Sequence, residues 1–170
     1  MGAAASMVDK ERKKPLDGSD VATPRGTSAV AEVARLRALL AAAAEPAAPA
    51  FKSVHTTTAN IHHRTFGDSA KPCVLFIHGA ASSALTWYNQ VDYFQGNYFV
   101  IAMFWRGHGL STLNGHDSSL LDPVNFGGDV IAVLDEEAVR EATLVAHSMG
   151  GFCAIRAAFE APDRISAIVM

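Results

Sequence analysis

Hydrophobic and polar positions change their pattern near residue 52. From Ser53 onward, short unbroken apolar runs recur, each closed by turn residues. Pro72–His78 (PCVLFIH) stops at Gly79 and Tyr98–Phe104 (YFVIAMF) stops at Arg106-Gly107. Ala142–His147 (ATLVAH) leads into Ser148, and Ile165–Met170 (ISAIVM) begins a fourth run. Runs of this kind mark strands buried on both faces, as in a parallel sheet. Between them, Ala84–Phe94, Pro123–Glu137 and Met149–Glu160 read as helices. Val54–Arg64 reads as one or two extended segments, with a turn at Gly67-Asp68. Strands alternating with helices predict an α/β domain over residues 53–170: a mostly parallel sheet with helices on both faces, truncated after about six strands.

Residues 1–52 differ in kind. They are rich in Ala, Pro and charge (DKERKKPLDGSD, TPRGTS, EPAAPA) and hold one aromatic, Phe51. Such a segment buries too little apolar surface to offset its ordering entropy, so most of it is expected to be a disordered extension. The exception is Ala29–Glu45, where Val30, Val33, Leu36 and Leu40 recur at helical spacing, Ser28 can cap and Pro46 stops.

Composition narrows the function classes. The 170 residues carry a net charge of −3, so no basic surface asks for nucleic acid. Cys73 and Cys153 sit inside apolar runs and read as buried free thiols of a reducing compartment. The longest apolar run, Ala38–Ala44, is far short of the roughly 20 residues a spanning helix needs, and no secretory signal is apparent. A cytoplasmic location is expected. Met1-Gly2-Ala3-Ala4-Ala5-Ser6 fits the myristoylation pattern, with Lys10, Arg12, Lys13 and Lys14 behind it, which would give Gly2 a lipid and the chain a weak membrane association. Short patterns of this sort also arise by chance, and Asp9 and Glu11 dilute the charge. Nothing in the sequence speaks to oligomeric state.

The chemistry centres on Ala146-His147-Ser148-Met149-Gly150. A serine on a tight turn between a buried strand and a helix needs small residues two before and two after it, because larger ones would collide with neighbouring backbone. Gly150 satisfies the second condition and Ala146 replaces the usual glycine at the first. Taken alone, Ser148 could equally be a helix cap. Two further strand ends carry motifs: His78-Gly79 followed by the small residues Ala80, Ala81, Ser82 and Ser83, and Arg106-Gly107-His108-Gly109-Leu110-Ser111. His-Gly, Arg-Gly-x-Gly-x-Ser and His-Ser-Met-Gly-Gly, in that order, resemble the α/β-hydrolase family, in its branch of serine esterases, lipase-like enzymes and C–C hydrolases. The resemblance covers Val54–Met170, the first half of that domain.

The resemblance implies a serine hydrolase in which Ser148 attacks the carbonyl of a small ester-like substrate and forms an acyl-enzyme. It implies an oxyanion hole from the backbone N–H groups of Ala80 and Met149, with His78, Gly79 and Gly150 in support and Trp87 as pocket lining. No cofactor and no metal is expected; His62 and His63 point to opposite faces of a strand and do not chelate together. Two departures stand out. Phe104 occupies a position where the family commonly has a structural Asp, which hints at a loosely packed loop. The family order is Ser, then Asp or Glu, then His, yet no histidine follows Ser148. His108, on the glycine loop, is the least implausible stand-in, while His147 should point away from the serine. Ile165–Met170 would form a long apolar edge strand, prone to aggregation unless covered. A truncated hydrolase chain is therefore expected, the alternative being a non-catalytic member of the fold serving as a pseudoenzyme or interaction protein.

Overall fold

The computed structural model describes residues 31–36, 50–115 and 117–170. The chain divides into two compact units, Met1–Ala48 and Pro49–Met170. In the first, residues 31–36 are helical, with Val33 and Leu36 exposed. The rest of the helix expected over 29–45 lies outside the described residues, as do Gly2 and His116.

The second unit is built on one seven-stranded sheet: β1 (Lys52–His55), β2 (Ala59–Phe66), β3 (Cys73–Ile77), β4 (Phe99–Met103), β5 (Thr112–Leu113), β6 (Ala142–Ala146) and β7 (Ile165–Val169). Its order is β1-β2-β4-β3-β6-β7, with β5 pairing with β2. β3 pairs in parallel with β4 and β6, and β6 with β7, whereas β2 is antiparallel to β1, β4 and β5. About six strands are expected from the sequence, with Val54–Arg64 as one or two; that stretch forms two, and the glycine loop adds the short β5. A two-residue strand leaves no periodic signal.

Residues of β3 and β4 are buried throughout, so their side chains fill two cores. On one face Leu75, Ile77, Ile101 and Met103 pack with Phe126, Val130 and Val133 of helix α2 (Pro123–Glu136) and Cys153, Ala154 and Ala157 of helix α3 (Gly150–Glu160). On the other, Val74, Phe76, Val100 and Ala102 pack with Ala84 of a 3-10 turn (Ala84–Trp87) and Val91 of helix α1 (Tyr88–Phe94). The alternation follows from the two-residue side-chain period of a strand. Local signals start α2 cleanly. Asp122 accepts the N–H groups of Val124 and Asn125, and Pro123 occupies the first helical position.

Because β3 leads into α1 on one face while its neighbour β6 leads into α3 on the other, the carboxyl ends of these two adjacent strands diverge. Ligand crevices of open α/β sheets form at such a switch point. At the far edge, β7 pairs only with β6 among the described residues. Beside it, Phe152, Ile155 and Phe159 make an exposed apolar stripe on α3.

Candidate active site

Ser148 lies two residues after the end of β6 and two before the start of α3. Its φ of +51° lies in the left-handed region, which a non-glycine residue occupies only where surrounding structure enforces it. The turn is tightened by Gly150 N–H donating to His147 O (2.9 Å) and Gly151 N–H to Ser148 O (2.9 Å). It is held to the central strand by His147 N–H donating to Ile77 O (3.0 Å). The glycine at the second position is a steric necessity: a Cβ on Gly150 would lie 2.6 Å from Ile77 O and 2.7 Å from His78 O. Ala146, at the position where a glycine is usual, stays in register with Ile77 as an ordinary strand residue.

Ser148 is exposed, and its hydroxyl has no hydrogen-bond partner among the described residues. It does not cap α3, whose N-cap residue, Met149, makes no side-chain cap bond. The N–H groups of Met149 and Ala80 likewise lack partners among the described residues. The loop after β3 runs beside the serine: a Cβ on Gly79 would lie 3.3 Å from Ser148 Cβ and 2.8 Å from His147 Nδ1. Ala81 in this loop also has a left-handed φ, +55°.

His78 is fully buried, and its Nδ1 donates to Gly79 O (2.7 Å). Burial pushes its pKa below the usual histidine value, partly opposed by that hydrogen bond and reinforced by nearby His108. Trp87 packs on Phe76 with centroids 5.1 Å apart, placing it in the second core beside the loop.

The glycine loop after β4 is tightly held, which corrects the expectation of loose packing from Phe104. Arg106 is buried and meets Asp129 of α2 in a two-pronged ion pair, Nε to Oδ2 at 2.7 Å and Nη2 to Oδ1 at 2.6 Å. Its remaining nitrogen donates to Thr58 Oγ1 and Leu120 O, both at 3.1 Å. Phe104 is itself buried, and its ring fills the space a Cβ on Gly109 would need, at 2.2 Å. The loop is thus anchored to α2 through Arg106 although position 104 carries no acid. The signal was present: Asp129 stands among Phe126, Val130 and Val133 on the apolar face of α2, and a carboxylate there requires a buried cation.

No histidine nitrogen lies within hydrogen-bond reach of the Ser148 hydroxyl among the described residues. His108 Nε2 instead accepts the Ala81 N–H (3.3 Å), which removes it as a stand-in base. His63 is buried and bonds Glu137 (2.7 Å), and Glu137 also pairs with Lys52 (2.7 Å). Cys73 and Cys153 are buried and unpaired, and burial pushes both thiols up to about 12.

A family model for the alpha/beta hydrolase fold matches residues 72–170. The chain belongs to the alpha/beta hydrolase family. It is 33% identical over 128 residues to 3-oxoadipate enol-lactonase 2 of Acinetobacter baylyi, covering 72% of this chain and 46% of that protein. It is 38% identical over 100 residues to an epoxide hydrolase of Caballeronia sordidicola, covering 58% of this chain and 30% of the relative. The chain therefore spans less than half the length of these curated relatives. Solved structures agree. A Vigna radiata epoxide hydrolase variant superposes with a TM-score of 0.64 at 27% identity, over 70% of this chain and 37% of its own. A hydrolase from Pseudomonas aeruginosa does so at 0.64 and 26%, over 71% and 44%. Among the described residues no helix is long and apolar enough to cross a membrane.

Proposed function

We propose that Ser148 is the nucleophile of a hydrolase that acts on a small ester-like carbonyl through an acyl-enzyme. The observation that carries this reading is the left-handed backbone of Ser148 at the sheet's switch point, with its hydroxyl exposed and uncommitted. Strain of this kind, of order 1–3 kcal/mol, persists at functional turns because it presents a side chain that a relaxed turn would not. Ser148 Oγ adds to the carbonyl carbon, and the resulting oxyanion is received by the N–H groups of Met149 and Ala80. The alkoxide departs with a proton, and water then releases the acid from the serine. Both oxyanion donors lack protein partners in the described structure, which fits groups awaiting a substrate oxygen.

No side chain among the described residues is assigned as the proton acceptor. The family order of serine, acid and histidine places both partners after the nucleophile, and no histidine of this sequence follows Ser148. Among the activities named for relatives, lactone hydrolysis suits a serine attacking an ester carbonyl. A carboxylate nucleophile, as epoxide opening would use, has no counterpart at the elbow.

The test is labelling by a fluorophosphonate at high concentration, located by mass spectrometry. Without a base the reaction should run thousands-fold below that of a complete triad. It should still favour Ser148 over exposed serines such as Ser69 and Ser118 and vanish in Ser148→Ala. Labelling of Ser148 no faster than of those serines overturns the nucleophile reading and leaves a non-catalytic member of the fold. Acylation of Gly2 and the weak membrane association it would bring are part of the same proposal. They fail if the chain, made together with an N-myristoyltransferase, takes up no labelled myristate.

A further inference from the structure

The loop after β3 is held in an uncommon conformation by side chains from the loop after β4. Trp105 Nε1 donates to His78 O (3.0 Å), and His108 Nε2 accepts the N–H of Ala81 (3.3 Å), the residue with φ of +55°. The Trp105 and His108 rings lie on one another with centroids 3.7 Å apart, so the two holds form one unit. The other imidazole nitrogen faces Arg106 O at 3.5 Å. A neutral ring carrying its proton on Nδ1 suits both neighbours, since only an unprotonated Nε2 can accept from an amide. Arg106 in turn is tied to α2 through Asp129, so this clamp is anchored in the core. Between the two clamped residues stands Ala80.

We propose that His108 is a positioning residue for the oxyanion loop: as a hydrogen-bond acceptor it fixes the left-handed turn at Ala81 and thereby the direction of the Ala80 N–H. The inference rests on the reading of Ala80 as an oxyanion donor, but its structural part stands apart from catalysis. A left-handed alanine is unfavourable by itself, and without an acceptor for its N–H the turn has less reason to persist. His108 touches neither Ser148 nor, on this account, the substrate; it acts through Ala81.

Two variants of the full chain separate acceptor from bulk. His108→Phe keeps a ring against Trp105 and removes the acceptor. His108→Gln restores a carbonyl oxygen at similar reach. Amide hydrogen exchange of Ala81, followed by NMR, should be about tenfold faster in His108→Phe, as expected for loss of one hydrogen bond. It should return close to the wild-type rate in His108→Gln, with Leu75 in β3 protected throughout. Where the wild-type serine accepts a fluorophosphonate, whose phosphoryl oxygen occupies the same hole, labelling should slow by about tenfold or more in His108→Phe and recover in His108→Gln. Unchanged Ala81 exchange in His108→Phe overturns the proposal, as does failure of His108→Gln to restore it. Loss of Leu75 protection together with Ala81 also overturns it, because the residue would then support the whole fold. A wild-type chain that takes no label defeats the nucleophile reading alone and leaves the exchange test to decide the role of His108.

Discussion

Replacing Asp129 by leucine strips the counter-ion from a guanidinium that is 2% exposed, while the carboxylate it loses is wholly buried. Two of the three guanidinium nitrogens lose partners at 2.7 and 2.6 Å; the third keeps Thr58 and Leu120. Breaking a buried pair from one side costs about 3–5 kcal/mol, because a desolvated charge remains. Against a total stability of about 5–15 kcal/mol for an ordinary domain, that loss is large. The double variant Arg106→Met with Asp129→Leu removes both charges. It should recover at least about 2 kcal/mol relative to Asp129→Leu, since apolar replacement of a buried pair is often neutral. Some deficit should remain because Leu120 O loses its donor, a hydrogen bond of about 1 kcal/mol. Urea unfolding followed by tryptophan fluorescence is a suitable assay, with buried Trp105 next in sequence to Arg106 as a reporter. A single-variant cost below about 1 kcal/mol, or additive single and double variants, would refute the reasoning. In that case water entering the cleft of about 520 Å³ beside Arg106 and Asp129, lined also by Thr58 and Asn125, would be hydrating the charge.

Other consequences are open to measurement. Ser148→Gly should raise stability by about 1 kcal/mol by relieving the left-handed φ, while abolishing any label at residue 148; an unchanged or lowered urea midpoint would argue against strain at the elbow. Gly150→Ala should cost about 1–3 kcal/mol, read from the same unfolding curves, because its methyl would meet Ile77 O and His78 O. Burial opposes ionisation of Glu137, but hydrogen bonds from Lys52 and His63 outweigh it and hold its carboxyl below the usual carboxylate value of 4.5. Its contribution to stability is therefore complete above that value and is lost as pH falls through the lower folded-state value. Glu137→Gln should be less stable than wild type at neutral pH, with the gap closing in acid; a pH-independent gap would show that ionisation of Glu137 contributes nothing.

The two motif-bearing loops and the elbow were readable as sequence because each depends on short-range rules. A buried strand is an unbroken apolar run, and a tight turn demands small residues. The runs closing at His78, Phe104 and His147 accordingly became β3, β4 and β6 with boundaries shifted by about a residue. β5 and the division of Ala84–Phe94 into a 3-10 turn and a helix leave no periodic trace in the sequence. More consequential were the contacts between residues distant in sequence. Phe104 implies a slack loop only when Arg106 is taken with its chain neighbours; Asp129, from α2, holds the guanidinium in the folded chain. The place of His108 on the glycine loop suggests a stand-in base, and the fold instead sets its imidazole against the Ala81 amide. What the sequence determined by itself was the order of elements and the identity of the residue at the elbow, because those follow from backbone sterics and local hydrophobic period. Which charge pairs with which, which imidazole accepts from which amide, and which N–H groups stay unpartnered around Ser148 were decided only when the sheet brought separate loops together, because those choices depend on distances that no spacing along the chain encodes.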